Sequence, residues 1–192
     1  MNCLVLIPIN QQYISDVQVK ISNALLELNI TQSAIINNNT EYFFAGDSYL
    51  QFISFLGCSP YLNFNPQKQL TLSDLKQTIA DLNYIQILSN SEDYVFLNTQ
   101  YGVKAICPAC KKKMTEWQSL IIQWQSNLKL ETNCKQCLNA ISLLDIDWKR
   151  TAGFFKTAII FHGIQAELAV PSDELLLKLE KLTKLQWQYF YG

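Results

Sequence analysis

The stretch that decides the middle of this chain is Cys107-Pro108-Ala109-Cys110, followed by 23 residues and then Cys134-Lys135-Gln136-Cys137. Two cysteines separated by two residues place both sulfurs on one tight turn, and the second turn supplies two more. Four soft ligands in a tetrahedron are what zinc prefers in structural sites. The spacing therefore predicts one structural Zn²⁺ held by Cys107, Cys110, Cys134 and Cys137.

Two other interpretations of the cysteine pairs fit the spacing less well. A redox pair of the thioredoxin type needs a single CxxC where a strand leads into a helix, and two matched pairs exceed that need. A catalytic zinc keeps one coordination position open, whereas four thiolates fill all of them. The remaining cysteines, Cys3 and Cys58, are not at ligand spacing from either pair.

Residues 104–141 resemble the zinc-ribbon family, on the evidence of the four cysteines and of Pro108 in the first pair. The resemblance implies a structural metal without assigning a function, because zinc ribbons occur in transcription factors, enzymes, ribosomal proteins and adaptors. The remainder of the chain, especially residues 46–60 and 169–191, is similar to uncharacterised bacterial zinc-ribbon proteins. This second resemblance implies no activity.

Outward from the cysteines, the chain mixes strand and helix patterns. Helical spacing of apolar residues predicts helices at 16–28 with Ser15 as N-cap, 46–56, 71–82, and from Ser172 to about residue 182. Short apolar or alternating runs predict strands at 3–9, 103–106, 128–132, 141–148 and 185–191, and a β-hairpin from 84–88 and 94–97. Residues 151–164 fit either structure, because Gly153 and Gly163 weaken both predictions.

These elements predict an α+β fold, with a mixed α/β core into which a four-cysteine zinc ribbon is inserted. We divide the chain into an N-terminal α/β portion at 1–102, the zinc ribbon at 103–141, and a C-terminal strand–helix–strand at 142–192 that returns to the core. We expect no independent second domain, because no linker separates the parts.

Composition and charge place the chain among folded, nearly neutral proteins. Hydrophobic residues make up 49%, charged residues 16%, and the net charge is −1. Residues 101–137 nevertheless carry six lysines and two acidic residues, and three of those lysines, Lys111, Lys112 and Lys113, are consecutive. With Trp117 and Trp124 as stacking surfaces, this run could contact nucleic acid. Alternatively, the lysines balance the net −2 charge of zinc with four thiolates.

We expect the protein to be cytoplasmic and not bound to a membrane. The apolar run at 3–9 is too short for a signal peptide and lacks a positively charged start, and no apolar stretch reaches the length of a membrane span. In a reducing compartment, paired cysteines are metal ligands more often than disulfides.

Candidates for catalysis are few, and we predict no catalytic residue. His162 is the single histidine of the chain, so any nucleophile–histidine scheme must use it, with Cys58 as the nucleophile to consider. Small buried cysteines are common in protein cores, which is the alternative for Cys58. Asp145 and Asp147 share one face of the predicted strand at 141–148 and could act as paired carboxylates. Because they alternate with Leu144, Ile146 and Trp148, we interpret them instead as the solvent-facing side of the strand.

Three functions therefore stay open at the level of sequence. The first is a non-enzymatic, zinc-stabilised cytoplasmic adaptor that binds another protein. The second is a nucleic-acid-binding protein that uses the basic zinc ribbon, and the third is an enzyme with Cys58 as nucleophile. The aromatic C-terminus, Trp187 to Tyr191, predicts either a buried strand or an exposed docking edge for a partner.

Overall fold

A fully buried strand organises the fold. Residues Cys3–Pro8 are buried at every position, so this strand requires neighbours at both edges and on both faces. The computed structural model describes residues 3–11, 14–37, 40–56, 83–89, 91–100, 102–164 and 167–192, and every statement about the fold refers to these.

The described residues form twelve strands, four helices and one 3₁₀ turn. The strands are Cys3–Pro8 (β1), Thr31–Asn37 (β2), Thr40–Ala45 (β3), Ile53–Phe55 (β4), Tyr84–Leu88 (β5), Val95–Asn98 (β6), Glu131–Asn133 (β7), Ala140–Ser142 (β8), Ala152–Phe155 (β9), Ala158–His162 (β10), Ala169–Pro171 (β11) and Trp187–Tyr191 (β12). The helices are Val17–Glu27 (α1), Tyr49–Phe52 (α2), Trp117–Asn127 (α3) and Asp173–Thr183 (α4), and a 3₁₀ turn covers Leu143–Asp145. The mixture confirms the predicted α+β class.

Six strands form one sheet in the order β12-β1-β10-β5-β3-β2, with every neighbouring pair antiparallel. Helices α1 and α4 cover one face, where Ile21, Leu25 and Leu179 pack against Leu4 and Phe161 of the sheet. The amphipathic spacing of apolar residues in both helices is the reason that each buries one side. Strand β12 has β1 as its neighbour on one edge only, and this edge position matters for the site.

The other face of the sheet carries a smaller core. Val5, Ile160 and Phe190 pack there with Phe155 of β9, and Leu97 of β6 lies against them. Strands β6 and β9 pair with each other, with Val95 opposite Phe155 and Asn98 opposite Ala152. Because β9 continues into β10 after Lys156 and Thr157, this two-stranded ribbon is connected directly to a central strand of the main sheet.

Residues 99–151 form an insertion between the paired strands β6 and β9. The backbone N–H of Thr99 donates to the carbonyl of Thr151 at 2.9 Å, and the N–H of Lys104 donates to the Thr151 hydroxyl at 2.8 Å. The insertion thus leaves and rejoins the fold at one point. The insertion packs against β6 and β9 through a third core, in which Trp124, Trp148, Met114 and Leu143 pack with Phe154 of β9.

The predicted hairpin at 84–97 is wrong, although both of its strands exist. Strand β5 pairs with β10 and β3, whereas β6 pairs with β9. Strands β5 and β6 therefore pair with two strands that follow the insertion, β10 and β9 respectively. The region 151–164, which the sequence left open, forms strands because it supplies the partners for both β5 and β6.

The predicted helix at 46–56 is also wrong over most of its length. The structure has one helical turn, α2, followed directly by strand β4, which pairs with β11. Continuous burial of apolar side chains looks the same in a short strand as in a buried helix, so periodicity could not separate them. The predicted helix at 71–82 lies outside the described residues.

Smaller boundaries differ as well. The strand predicted at 141–148 ends at Ser142 and becomes the 3₁₀ turn, so Asp145 and Asp147 do not share a strand face. Helix α1 is flanked by Asp16, with no side-chain cap, and not capped by Ser15. Strand β12, helix α4 and the Ser172 cap of α4 are confirmed. No helix in the described part of the chain is long and apolar enough to cross a bilayer.

Candidate metal centre

The two cysteine turns of the insertion have the same backbone geometry. In the first, the N–H of Lys111 donates to the carbonyl of Cys107 at 3.0 Å, and the N–H of Cys107 donates to Lys112 at 2.9 Å. In the second, Leu138 donates to Cys134 at 2.8 Å and Cys134 donates to Asn139 at 3.0 Å. Each CxxC is therefore a closed turn at the tip of a short hairpin, with its two sulfurs on one side.

The residue after each second cysteine has a left-handed backbone. Lys111 has a φ of 59° and Leu138 a φ of 61°, a region where side chains with a Cβ are strained. This bend turns the chain back after Cys110 and Cys137 and aims the N–H groups of the turn at the sulfurs. We infer that the hydrogen-bonded turn imposes these φ angles, because lysine and leucine do not favour them.

All four sulfurs come together. The Sγ atoms of Cys107 and Cys137 are 3.9 Å apart, as are those of Cys110 and Cys134, and all four lie within 4.8 Å of one another. Sulfurs about 2.3 Å from a tetrahedral zinc would be about 3.8 Å apart, whereas a disulfide needs about 2 Å. The four cysteines are thus arranged to hold a metal ion, as the sequence predicted.

The electrostatics of the four thiols also favour a cation. Hydrogen bonds from the backbone N–H groups of Cys110 and Ala109 outweigh the effect of desolvation and lower the pKa of Cys107 to about 7. The N–H of Asn139 acts in the same direction on Cys137, but burial and the other three thiols raise its pKa to about 11. The thiolate of Cys107 therefore forms readily while Cys137 resists ionisation, and a divalent ion would remove that conflict.

The metal centre is joined to the segment that leaves the insertion. Ile106, directly before Cys107, exchanges two backbone hydrogen bonds with Asp147, at 3.0 and 3.1 Å. Gln136 of the second turn donates to the carbonyl of Lys113 at 2.8 Å, which ties the two turns together. Residues 144–150, which we name the wall segment, are consequently anchored beside the first turn.

A cleft of about 750 Å³ separates the wall segment from the edge of the main sheet. Its far side is strand β12, with Trp187, Gln188 and Tyr189. The guanidinium of Arg150 lies 4.2 Å from the centre of the Tyr189 ring and donates a hydrogen bond to its hydroxyl. Sequence reasoning missed this cleft, because no local pattern links the wall segment to β12.

The nucleic-acid candidates are only partly gathered on one surface. Lys111, Lys112 and Lys113 are exposed beside the first cysteine turn. Trp124 is 6% exposed and packs edge-on against Phe154, and Trp117 is half-buried against Trp148. The lysines are thus accessible, whereas the ring of Trp124 offers no free stacking face. Nucleic-acid contact at these residues stays a prediction.

His162 is a buried residue of the main sheet. Its Nε2 lies 3.0 Å from Oε1 of Gln86, and its ring stacks on Tyr84 with centroids 4.2 Å apart. Burial lowers the pKa of His162 to about 4, so the ring is neutral at physiological pH. Cys3, opposite His162 in the register, has its pKa raised to about 11 by burial and is an unreactive thiol. Cys58 lies outside the described residues.

The remaining candidates are surface carboxylates. Asp147 forms an ion pair with Lys149 at 2.6 Å, and the hydrogen bond from Lys149 lowers the pKa of Asp147. Asp145 is exposed on the 3₁₀ turn.

Comparison with protein-family models, curated proteins and solved structures found no significant match to this chain.

Proposed function

We propose that this chain is a non-enzymatic adaptor that binds one structural Zn²⁺ and, through a surface fixed by that ion, another protein. The observation that carries the proposal is the convergence of four cysteine sulfurs within 4.8 Å on two closed turns, the first of which is joined to the wall of a cleft through Ile106 and Asp147. The zinc would hold the insertion together and would take no part in a reaction.

The donor set supports zinc in a structural role. Four thiolates suit zinc's preference for soft ligands and its tetrahedral geometry, and they leave no position for water or substrate. Cys107 and Cys134 are fully buried, which protects half of the ligands from solvent. Free, closely spaced cysteines of this kind are typical of a reducing compartment, which supports a cytoplasmic location.

The path from the metal to the cleft supports a binding role. Ile106 directly precedes the first cysteine turn and pairs with Asp147 through two backbone hydrogen bonds. Asp147 belongs to the wall segment, which ends at Arg150. A metal that fixes the turn therefore also fixes one side of the cleft. Structural metals commonly supply folding energy to small modules in this way.

The environment of His162 supports a structural role for that residue. Its ring is enclosed between Tyr84 and Gln86 and held neutral by burial. The exposed lysines beside the first turn have an explanation that needs no nucleic acid, since they are close in sequence to a centre whose four thiolates would carry excess negative charge. For these reasons we place the adaptor function ahead of the enzyme and of the nucleic-acid-binding protein.

Metal content tests the first half of the proposal. Protein purified without chelators should contain one zinc per chain by elemental analysis. The double variant Cys107→Ser, Cys137→Ser should lose most of it, whereas Cys3→Ser, a change outside the site, should retain it. Protein that folds and contains no stoichiometric metal would overturn the structural zinc.

Partner capture tests the second half. Affinity purification from the source cell, followed by mass spectrometry, should recover a defined protein with the wild-type chain and much less of it with the Cys107→Ser, Cys137→Ser variant. Equal recovery would show that the metal module is irrelevant to binding. The absence of any specific partner would remove the adaptor function, and release of captured nucleic acid by salt would favour the alternative.

A further inference from the structure

We propose that the cleft between β12 and the wall segment binds an extended peptide with a single acidic side chain, which adds as a strand to the free edge of β12. The inference rests on the proposed function, because it names the site through which the adaptor would hold its partner. Strand addition to an exposed sheet edge is a common mode of peptide recognition.

The free edge of β12 is defined by its pairing with β1. Cys3 and Gly192 exchange two backbone hydrogen bonds, and Ile9 donates to Gln186. By the alternation of an antiparallel ladder, Phe190 and Gln188 also bond to β1, while Trp187, Tyr189 and Tyr191 direct their backbone groups outward. These outward groups can receive a further strand.

One end of this edge is already in use. The backbone N–H of Tyr191 donates to the carbonyl of Arg150 at 2.9 Å, where the wall segment touches β12. In the described part of the chain, the outward N–H and carbonyl groups of Trp187 and Tyr189 have no backbone partner. The edge is therefore open where it borders the cleft, and an added strand would continue from the contact at Arg150.

The charges around the cleft favour one carboxylate on the peptide. Four charged residues line it: Asp145, Asp147, Lys149 and Arg150. Lys149 neutralises Asp147, whereas Arg150 has no carboxylate within ion-pair distance among the described side chains. Its guanidinium lies on the Tyr189 ring, at the strand position that offers backbone groups to the peptide. Because Asp145 repels further acids, a single acidic residue fits better than an acidic run.

The dimensions of the cleft favour a single extended peptide as the occupant over the sheet edge of a second copy of this protein. Its volume of about 750 Å³ lies within the range of ligand sites in proteins, about 300–1,000 Å³. The wall segment stands beside β12 and meets it at Tyr191, so the space is closed at one end. A single extended peptide fits this shape, whereas the whole edge of another molecule would meet the wall.

Selection from a phage-displayed library of random twelve-residue peptides, on the full-length zinc-loaded protein, tests the inference. Enriched peptides should combine β-branched or aromatic residues with one Asp or Glu. By fluorescence polarisation, Arg150→Gln should weaken a selected peptide at least tenfold, and Lys184→Gln, an exposed change outside the cleft, should leave its affinity unchanged.

A second pair of variants isolates the backbone edge. Tyr189→Pro removes an outward N–H without breaking a bond to β1, and Pro is tolerated on such edges. Tyr189→Val removes the ring but keeps the N–H, so it is the matched control. Both should weaken binding through loss of the ring, and the Pro variant should weaken it several-fold more. Exchange of the Trp187 and Tyr189 amides should also slow when peptide is bound.

The outcomes separate this inference from the proposed function. A failure to enrich any peptide, or equal binding by wild-type, Arg150→Gln and Tyr189→Pro, overturns the cleft as the site. Self-association that Tyr189→Pro abolishes assigns the edge to a second copy and also overturns it. If a captured cellular partner still binds these variants, the adaptor function stands and only its site is wrong.

Discussion

Lys111 and Leu138 occupy the same position in the two cysteine turns, and both have a backbone that glycine adopts at lower cost. Leu138 is 78% exposed, so its side chain contributes little packing. The left-handed region costs a residue with a Cβ about 1 kcal/mol or more. We expect Leu138→Gly to raise the free energy of unfolding by about 1 kcal/mol over Leu138→Ala, measured by chemical denaturation of the zinc-loaded protein.

The alanine variant is the control, because it removes the leucine side chain and keeps the strain. Equal stability of the glycine and alanine variants would show that the second turn relaxes at no cost. Metal content of both variants should stay at one zinc per chain, since neither change touches a sulfur.

His162 gives the stability of the fold a pH dependence. Its pKa is lowered from 6.5 to about 4 by burial, so between these values the unfolded chain binds a proton that the folded chain does not. The free energy of unfolding should therefore fall as the pH drops from 6.5 to 4, by about 3 kcal/mol in all. Above pH 6.5, His162 does not contribute to the pH dependence of the free energy of unfolding.

The variant His162→Gln isolates this contribution. Denaturation at pH 7, 5.5 and 4.5 should show a weaker pH dependence for the variant, which has no proton to bind. Loss of metal in acid affects both proteins equally, so the difference between them reports His162 alone. Parallel curves would contradict the burial of a neutral ring.

At the scale of elements, β9 and β12 approach so closely that Gly153 leaves no room for a side chain. A Cβ added there would lie 2.6 Å from Cε1 of Phe190. Because overpacking a core costs about 1–3 kcal/mol, Gly153→Ala should lower the free energy of unfolding by that amount.

A double-mutant cycle checks the cause. Phe190→Leu removes part of the ring that the added methyl group would meet, so the cost of Gly153→Ala should be smaller in the Phe190→Leu background. If the two changes are additive, some other contact of β9 is responsible.

The sequence predicted elements well where the signal is local. The start of helix α4 was predicted from Ser172, whose hydroxyl accepts a hydrogen bond from the N–H of Leu175 at 3.1 Å. The four metal ligands were predicted from the spacing of the cysteines within the two turns. Strand pairing between residues far apart in the sequence could not be predicted. The sequence predicted a hairpin from β5 and β6 because the strands with which they pair, β10 and β9, lie beyond the insertion. The cleft was missed because Arg150 and Tyr189 come into contact only in the folded chain.

For the whole molecule, the separate cores predict how the protein responds to metal removal. Trp124, Trp148 and Met114 belong to the core that the insertion forms against β6 and β9, whereas Leu4, Ile21 and Phe161 belong to the core of the main sheet. Chelation should therefore disorder residues 99–151 and erase most of the near-ultraviolet dichroism of the tryptophans. Slow amide exchange in β1 and β10 should persist, and readdition of zinc should restore the signal.

The matched comparison is the variant Cys107→Ser, Cys137→Ser without chelator, which should resemble the chelated wild-type protein. Loss of protection in β1 at the same chelator concentration would show that the two cores unfold as one unit. Structural zinc contributes on the order of 10 kcal/mol to small modules, so partial occupancy should give two separate transitions.

The position of the insertion has a kinetic consequence. Strands β6 and β9 must pair across residues 99–151, and the entropy of closing a loop rises with its length. An ion that cross-links the two cysteine turns shortens the free path between Asn98 and Ala152 before those strands meet. The supply of metal during synthesis would thus determine the rate at which β6 and β9 pair. A chain made in zinc-poor medium would expose unpaired strand edges for longer.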